Sequence, residues 1–329
     1  MFVTSRLPYP PVEGHQLRAW HLLRAACSAH EVTLLSLRRP EDPVDPAPEL
    51  TDRLSGLHLV DLPKLARPDQ LAMLGLRYLL SRRPLLDLRY TPPALRRAFD
   101  RLVKRADLVH LDILAVAGLI DRVPAATPVV LNEHNVESRL AMDRARVEQG
   151  RTRRWLRRLQ ARGLEKFEQH ACNRADRVLT CSPVDQQRLA ELSPAATFTV
   201  IPNGVDLERF QPGPPAKERP GSMIFVGQMG WFPNRDGVRF FMRDVLPRMA
   251  PRPDLKLQVI GHNGSVRAPD GLADQVEFCG FVDDPRPLIQ RAAVYIVPLR
   301  VGSGTRLKIL EAMALGKAIV STSIGAEGI

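Results

Sequence analysis

The feature that most constrains this chain is an alternation that runs along its whole length. Short apolar, β-branched runs, FVTS (2–5), EVTLLSL (31–37), LHLVDL (57–62), LVHL (108–111), PVVLN (128–132), RVLTCS (177–182) and FTVIP (198–202), alternate with longer amphipathic stretches. Runs of strand length separated by helix-length patterns argue for parallel βαβ units. After residue 202 the segment NGVDLERFQPGPPAKERPG concentrates Pro, Gly and charge, the composition of a connection between domains. The alternation then restarts with MIFVG (223–227), LKLQVIG (255–261), QVEFCG (275–280), AVYIVPL (293–299) and AIVST (318–322), with a helical pattern at 235–249. The expectation is two doubly wound α/β domains, residues 1–206 and 207–329, which suits a 329-residue chain at roughly 100 to 200 residues per domain. Because SIGAEGI follows the last run directly, the second domain is expected to lack its final strand–helix units.

With 44% apolar and 5% aromatic residues the chain can bury a sizeable core. Its formal charge of +11 is carried mostly by arginine, so the surface field favours phosphate-rich ligands or an anionic membrane, although a coding bias toward arginine accounts for part of it. No zinc-finger spacing, RNP-like aromatic strand or basic region with heptads is present, so nucleic acid is not the expected partner. Cys27, Cys172, Cys181 and Cys279 are widely separated and form no C-x-x-C pair, as expected of reduced thiols in a cytosolic protein without a structural metal. The N-terminus has no signal-peptide pattern and no run of about 18 apolar residues occurs, so a cytoplasmic location, peripheral to the inner membrane face at most, is expected.

One segment stands apart. Between Arg139 and Lys166 ten residues are basic and three acidic, and Trp155, Leu156, Leu159, Leu164 and Phe167 are spaced as an apolar stripe on a helix. Two readings stay open: a helix packed on the first domain, or a membrane-surface helix that brings a lipid-borne acceptor to the site.

In open parallel sheets ligands bind beyond the carboxyl ends of strands, where glycines and helix N-termini present N–H groups to phosphate. LRVGSGTRLKILEAMALGKAIVST (299–322) has that character: a strand end, a glycine-rich turn with Gly302 and Gly304, and a helix expected from near Thr305. Arg306 and Lys308 add positive charge, and Glu311 offers a carboxylate suited to the two hydroxyls of a ribose. Asn203, Gly204 and Asp206 read as a turn, since Asn-Gly is a turn dipeptide in its own right. His134 follows an apolar strand, and Glu133 and Glu137 beside it are candidates for acceptor contact or for capping the next helix.

At these residues the chain resembles glycosyltransferase family 4, and within it the branch of exopolysaccharide clusters. GSGTRLKILEAMALGKAIVST resembles the donor-site signature, in which a Gly-rich loop leads into a helix bearing E-A-M-A-x-G. Ser303 stands where many members carry the first glutamate of an E-x7-E pattern, so only Glu311 matches. SRLPYPPVEGHQLRAWHLLRAACSAHEVTLLSL, LNEHNVESRL, VIPNGVDLERF and IFVGQMGWFPNRDGVRFF resemble further family segments, in order, over nearly the whole chain.

The resemblance implies a GT-B fold, two Rossmann-like domains facing a cleft, and retaining transfer of a sugar from a nucleoside diphosphate sugar to a glycan or polyprenyl-linked acceptor. It implies that Gly14 lets the backbone approach the transferred group and that His134 holds a sugar hydroxyl. Gly227, Asn234, Gly302, Ser303, Gly304, Thr305 and Glu311 would bind the donor, with Arg306 and Lys308 neutralising the diphosphate in place of an Arg and a Lys that many relatives carry after the first strand of this domain. Asn203, Gly204 and Asp206 would shape the hinge. No metal or other cofactor is implied, and the leaving phosphate would take the acceptor's proton. Two alternatives remain: a truncated copy that binds nucleotide weakly or not at all, and a sugar-nucleotide 2-epimerase of the same architecture.

Overall fold

The computed structural model describes residues 1–40, 42–64, 68–81, 83–213, 218–249, 252, 254–262, 264 and 266–329. By contacts the chain divides into two compact units, Met1–Pro202 and Asn203–Ile329. Residues 214–217, within the Pro- and Gly-rich connection, lie outside the described residues.

The first unit carries a parallel sheet of β1 (Phe2–Thr4), β2 (Thr33–Arg38), β3 (Gly56–Asp61), β4 (Val109–Asp112), β5 (Val129–Glu133), β6 (Arg177–Thr180) and β7 (Phe198–Val200). Their order is β3-β2-β1-β4-β5-β6-β7. The second carries β8 (Arg219–Val226), β9 (Lys256–Ile260), β10 (Val276–Gly280), β11 (Ala292–Val297) and β12 (Ile319–Ser321), in the order β10-β9-β8-β11-β12. Every described pairing is parallel. In both sheets the chain starts in the middle, winds to one edge and then returns to the other, leaving a switch point between β1 and β4 and another between β8 and β11.

The continuous apolar runs follow from this topology, because a parallel sheet is covered on both faces. In β1 and β2, successive residues feed opposite cores: Phe2 and Leu34 join Trp20 and Leu23, whereas Val3, Leu35 and Leu37 join Leu111, Leu131 and Phe99. The second sheet buries Ile224, Phe225, Leu257, Val259, Tyr295 and Ile296 in a core of its own.

The helices depart from the sequence reading in three places. The pattern at 235–249 opens earlier, as a helix at Phe232–Phe240, and ends in a π-turn (Phe241–Val245) and a 3-10 turn (Leu246–Met249), where Pro247 has no N–H to continue the ladder. The basic segment 139–166 spans two helices, because Gly150, at φ 93°, separates Glu137–Val147 from Arg151–Arg174, and the whole apolar stripe lies on the second. The helix after the Gly-rich loop starts at Leu307, two residues beyond Thr305.

Candidate functional site

The residues singled out from sequence collect at the carboxyl ends of the strands, in a separate group in each unit. In the second unit the group lies at the β8/β11 switch point. Gly227 follows β8 directly, and its N–H donates to Ile260 O at 2.9 Å. A Cβ there would sit 2.6 Å from Asn234 Nδ2 and 2.7 Å from Lys308 Nζ, so any larger residue would displace this pair. Lys308 Nζ donates to Asn234 Oδ1 at 2.9 Å, and Asn234 Nδ2 donates to Gln228 O at 3.0 Å. The ammonium also lies 4.3 Å from the centroid of the Phe225 ring. Burial pushes Lys308 down to about 7, against the opposing pull of Glu311. Burial in turn raises the Glu311 carboxyl, with Lys308 and Arg209 acting the other way.

The Gly-rich loop is built on Arg306. Its guanidinium donates to Ser303 O at 2.6 Å, to Gly304 O and to Ile324 O at 3.0 Å, and a Cβ on Gly302 would collide with it. Gly304, at φ 75°, turns the chain in the left-handed region. Arg306 is therefore committed to backbone carbonyls, and Lys308 is the basic side chain of this segment that joins Gly227 and Asn234. Asp206, at the start of the unit, accepts from the backbone N–H groups of Glu208 and Arg209, each at 3.0 Å, an Asx-type turn next to Asn203 and Gly204. Arg235 sits over the Phe232 ring, 5.8 Å from its centroid.

In the first unit the group surrounds the ends of β1, β4 and β5. Gly14 is the first residue of the helix Gly14–Cys27, whose entry is tied by Gln16 Oε1 accepting from Glu13 N at 3.0 Å. His134 is buried just past β5, with Nε2 3.1 Å from Asp112 Oδ1. The parallel register sets Asp112 opposite Asn132, and Asn132 Nδ2 donates to Asp112 Oδ1 at 2.6 Å. Arg18 donates to Asn132 Oδ1 from Nε (3.2 Å) and Nη2 (3.1 Å), and to Ile201 O from Nη1 at 2.7 Å. Burial opposes ionisation of Asp112, but His134 and His110 outweigh it and hold the carboxyl far below the usual range. Ile113, the next residue, is a β-branched side chain at φ 86°, a strained conformation of the kind that clusters at functional sites. His15, beside Gly14, is pushed down to about 4 by burial, against the pull of Glu13, and His134 lies within its electrostatic reach.

The capping role considered for Glu133 and Glu137 belongs instead to Glu168. Fully buried on the helix Arg151–Arg174, it accepts from Glu137 N at 2.6 Å, from Ser138 N at 3.3 Å and from the Ser138 hydroxyl. Glu133 is 1% exposed, and neither carboxylate oxygen has a hydrogen-bond partner among the described residues. Burial, then Glu168 and Glu137, drive its pKa well up. The stripe on Arg151–Arg174 divides: Leu164 and Phe167 pack on the core, whereas Trp155, at 59%, Leu156 and Leu159 are exposed among arginines. Among the described residues no helix is long and apolar enough to cross a membrane.

Arg18, Asp112, Asn132, His15 and Glu168 were not found by sequence reasoning. The one signal for Asp112 and Asn132 was their place at the ends of strands.

The chain is similar in fold to sucrose-phosphate synthase from Thermosynechococcus elongatus, at 19% identity and a TM-score of 0.63 over 99% of this chain and 82% of that one. Anabaena HepE, solved with UDP-glucose, matches with a TM-score of 0.60 at 16% identity, over 98% of this chain and 80% of that one. These likenesses show the GT-B fold class, with two Rossmann-like units. In sequence, the phosphatidyl-myo-inositol mannosyltransferase of Mycobacterium tuberculosis is 32% identical over 137 residues, which are 38% of this chain and 35% of that protein. The lipopolysaccharide core biosynthesis mannosyltransferase LpsB of Rhizobium meliloti is 30% identical over 145 residues, 39% of this chain and 41% of that protein. The match thus spans well under half the length of these curated relatives. The model described as Glycosyl transferases group 1 matches residues 220–329, and the model described as Glycosyltransferase Family 4 matches residues 12–209. With more than half its length inside the second of these matches, the chain belongs to glycosyltransferase family 4.

Proposed function

We propose that this protein is a retaining glycosyltransferase that moves a hexosyl group from a nucleoside diphosphate sugar to a glycan or lipid-linked acceptor in cell-surface or exopolysaccharide synthesis. The observation that carries the reading is the Gly227–Asn234–Lys308 arrangement at the β8/β11 switch point, a glycine-floored place with a partly buried lysine ammonium. Expelling a diphosphate concentrates negative charge on its β-phosphate, and preorganised positive groups lower the barrier to that step. In this reading Lys308, the N–H groups of residues 302–305 and the N-terminus of the helix Leu307–Ala314 receive the charge, with no resident cofactor. Arg306 keeps the loop in shape, and Glu311 accepts the ribose hydroxyls. The bond from the acceptor oxygen to the anomeric carbon forms as the bond to the diphosphate oxygen breaks, and the acceptor's proton passes to the leaving diphosphate.

His134 holds a hydroxyl of the substrate, and Gly14 gives backbone access beside it. The exposed Trp155, Leu156 and Leu159, set among arginines, suit the surface of an anionic membrane that carries a lipid-linked acceptor, on the inner face of the cytoplasmic membrane. The relatives named as mannosyltransferases, one of phosphatidyl-myo-inositol and one of lipopolysaccharide core, are consistent with such acceptors.

The test is calorimetric titration of the chain with UDP and with GDP. Saturable binding of one of them, weakened at least tenfold by Lys308→Ala and by Glu311→Ala, is expected. A folded chain that binds neither nucleotide would sink the reading.

A further inference from the structure

The histidine of the first unit ends a chain of buried polar groups whose order determines its protonation. Arg18 has two N–H groups on Asn132 Oδ1, at 3.2 and 3.1 Å, so the amide oxygen faces the guanidinium and the amide nitrogen faces the other way. That nitrogen meets Asp112 Oδ1 at 2.6 Å and lies 3.0 Å from His134 Nε2. Asp112 Oδ1 is in turn 3.1 Å from His134 Nε2. All four side chains are buried. An ionised carboxylate only accepts hydrogen bonds, so the imidazole nitrogen facing it carries a proton.

We propose that Asp112 is a positioning residue that fixes His134 in the Nε2–H form and leaves Nδ1 as the acceptor for a substrate hydroxyl. Asn132 and Arg18 orient Asp112 in this scheme, and the proposal rests on the reading of His134 as a substrate contact. The short approach of Asn132 Nδ2 to His134 Nε2 is then two donors converging on one carboxylate oxygen. The geometry also says what happens without that oxygen. The Asn132 amide, still held by Arg18, would present an N–H to Nε2, which must become an acceptor, and the proton moves to Nδ1.

The experiment is nitrogen NMR of the full chain labelled at histidine, with the His134 signals identified by their loss in His134→Gln. Wild type is expected to show Nε2 protonated and Nδ1 bare near neutral pH, Asp112→Ala the reverse, and Asp112→Asn, whose amide oxygen can still accept, the wild-type form. Turnover of Asp112→Ala should fall at least tenfold in kcat with nucleotide affinity unchanged, because Asp112 and the nucleotide site lie in different units. A wild type with Nδ1–H or with both nitrogens protonated, or an Asp112→Ala protein with unchanged tautomer or unchanged kcat, overturns the proposal. The wild-type spectrum decides by itself if Asp112→Ala does not fold. A wild type in the Nε2–H form that transfers no sugar would overturn the transferase reading and leave the positioning role of Asp112 standing.

Discussion

Lys308 keeps a cation where water is scarce, and that cost is useful only if an anion arrives to offset it. Burial places the free ammonium near 7, so a large share of the free protein carries a neutral amine at neutral pH. A bound diphosphate favours the charged form and raises this pKa, so above pH 7 nucleotide binding must take up a proton. UDP or GDP affinity is therefore expected to fall by up to about tenfold per pH unit as pH rises from 7 to 9. Lys308→Arg, which stays charged throughout, should flatten the profile even where its bulkier fork lowers affinity. Titration calorimetry in buffers of different ionisation enthalpy reads both the affinity and the proton uptake. A flat wild-type profile would mean that Lys308 does not face the phosphates. At this scale the sequence named Gly227, Asn234 and Lys308 one by one, and the structure joins them, with Lys308 bonded to Asn234 over Gly227. Arg306, named with them, donates instead to the carbonyls of its own loop and of Ile324.

The helix Arg151–Arg174 does two jobs with its two halves. The C-terminal half packs Leu164 and Phe167 on the core and sends Glu168 to the first N–H groups of Glu137–Val147, just beyond His134. The N-terminal half leaves Trp155, Leu156 and Leu159 in solvent. Side chains with so little to lose on unfolding should be replaceable without loss of stability, so a Trp155→Ala, Leu156→Ser, Leu159→Ser protein is expected to stay within about 0.5 kcal/mol per site of wild type. The same variant should sediment at least tenfold less with vesicles containing anionic lipid, whereas neutral vesicles should bind neither protein. Equal sedimentation of variant and wild type would return the stripe to an ordinary solvated face. Periodicity found this stripe, but it could not say where the helix leaves the core, because that depends on what lies beneath each turn.

At the scale of the molecule, each unit has its own sheet and core, and the first also stores ionisable groups whose titration sets its stability. Burial raises Glu168 to about 8 from an ordinary 4.5, and drives Glu133 and Glu137 up as well. A raised folded-state pKa means that the native state holds its proton longer than the unfolded chain. That stabilising contribution is complete below about 4.5 and is lost as pH rises through about 8. Asp112 works in the opposite sense, with a depressed pKa whose contribution is present above the ordinary value near 3.8 and is lost as pH falls. The first unit is therefore expected to be most resistant to denaturant between about pH 4 and 4.5, where both contributions are present, and to lose stability from there toward pH 8. Glu168→Gln should cost stability at pH 5 and flatten the slope up to pH 8. Denaturant midpoints followed from pH 3 to 9 measure both limbs, and a midpoint that rises steadily to pH 8 would show that these carboxyls are ionised in the folded state.

The sequence by itself determined the class of fold, because apolar runs at strand length, spaced by helix-length patterns, have one economical arrangement, the doubly wound parallel sheet. The runs read at 108–111 and 128–132 became β4 and β5, and the glycine-rich turn at 302–304 follows β11, which borders β8 at the switch point. Tertiary structure decided the partners. Asp112 faces Asn132 through strand register, Arg18 reaches Asn132 across 114 residues, and Glu168 caps a helix 30 residues before it. Charge and hydrogen-bonding capacity are properties of single residues and can be read in order along the chain. Which donor meets which acceptor, and at what dielectric cost, depends on distances that exist only once the sheet has closed around them.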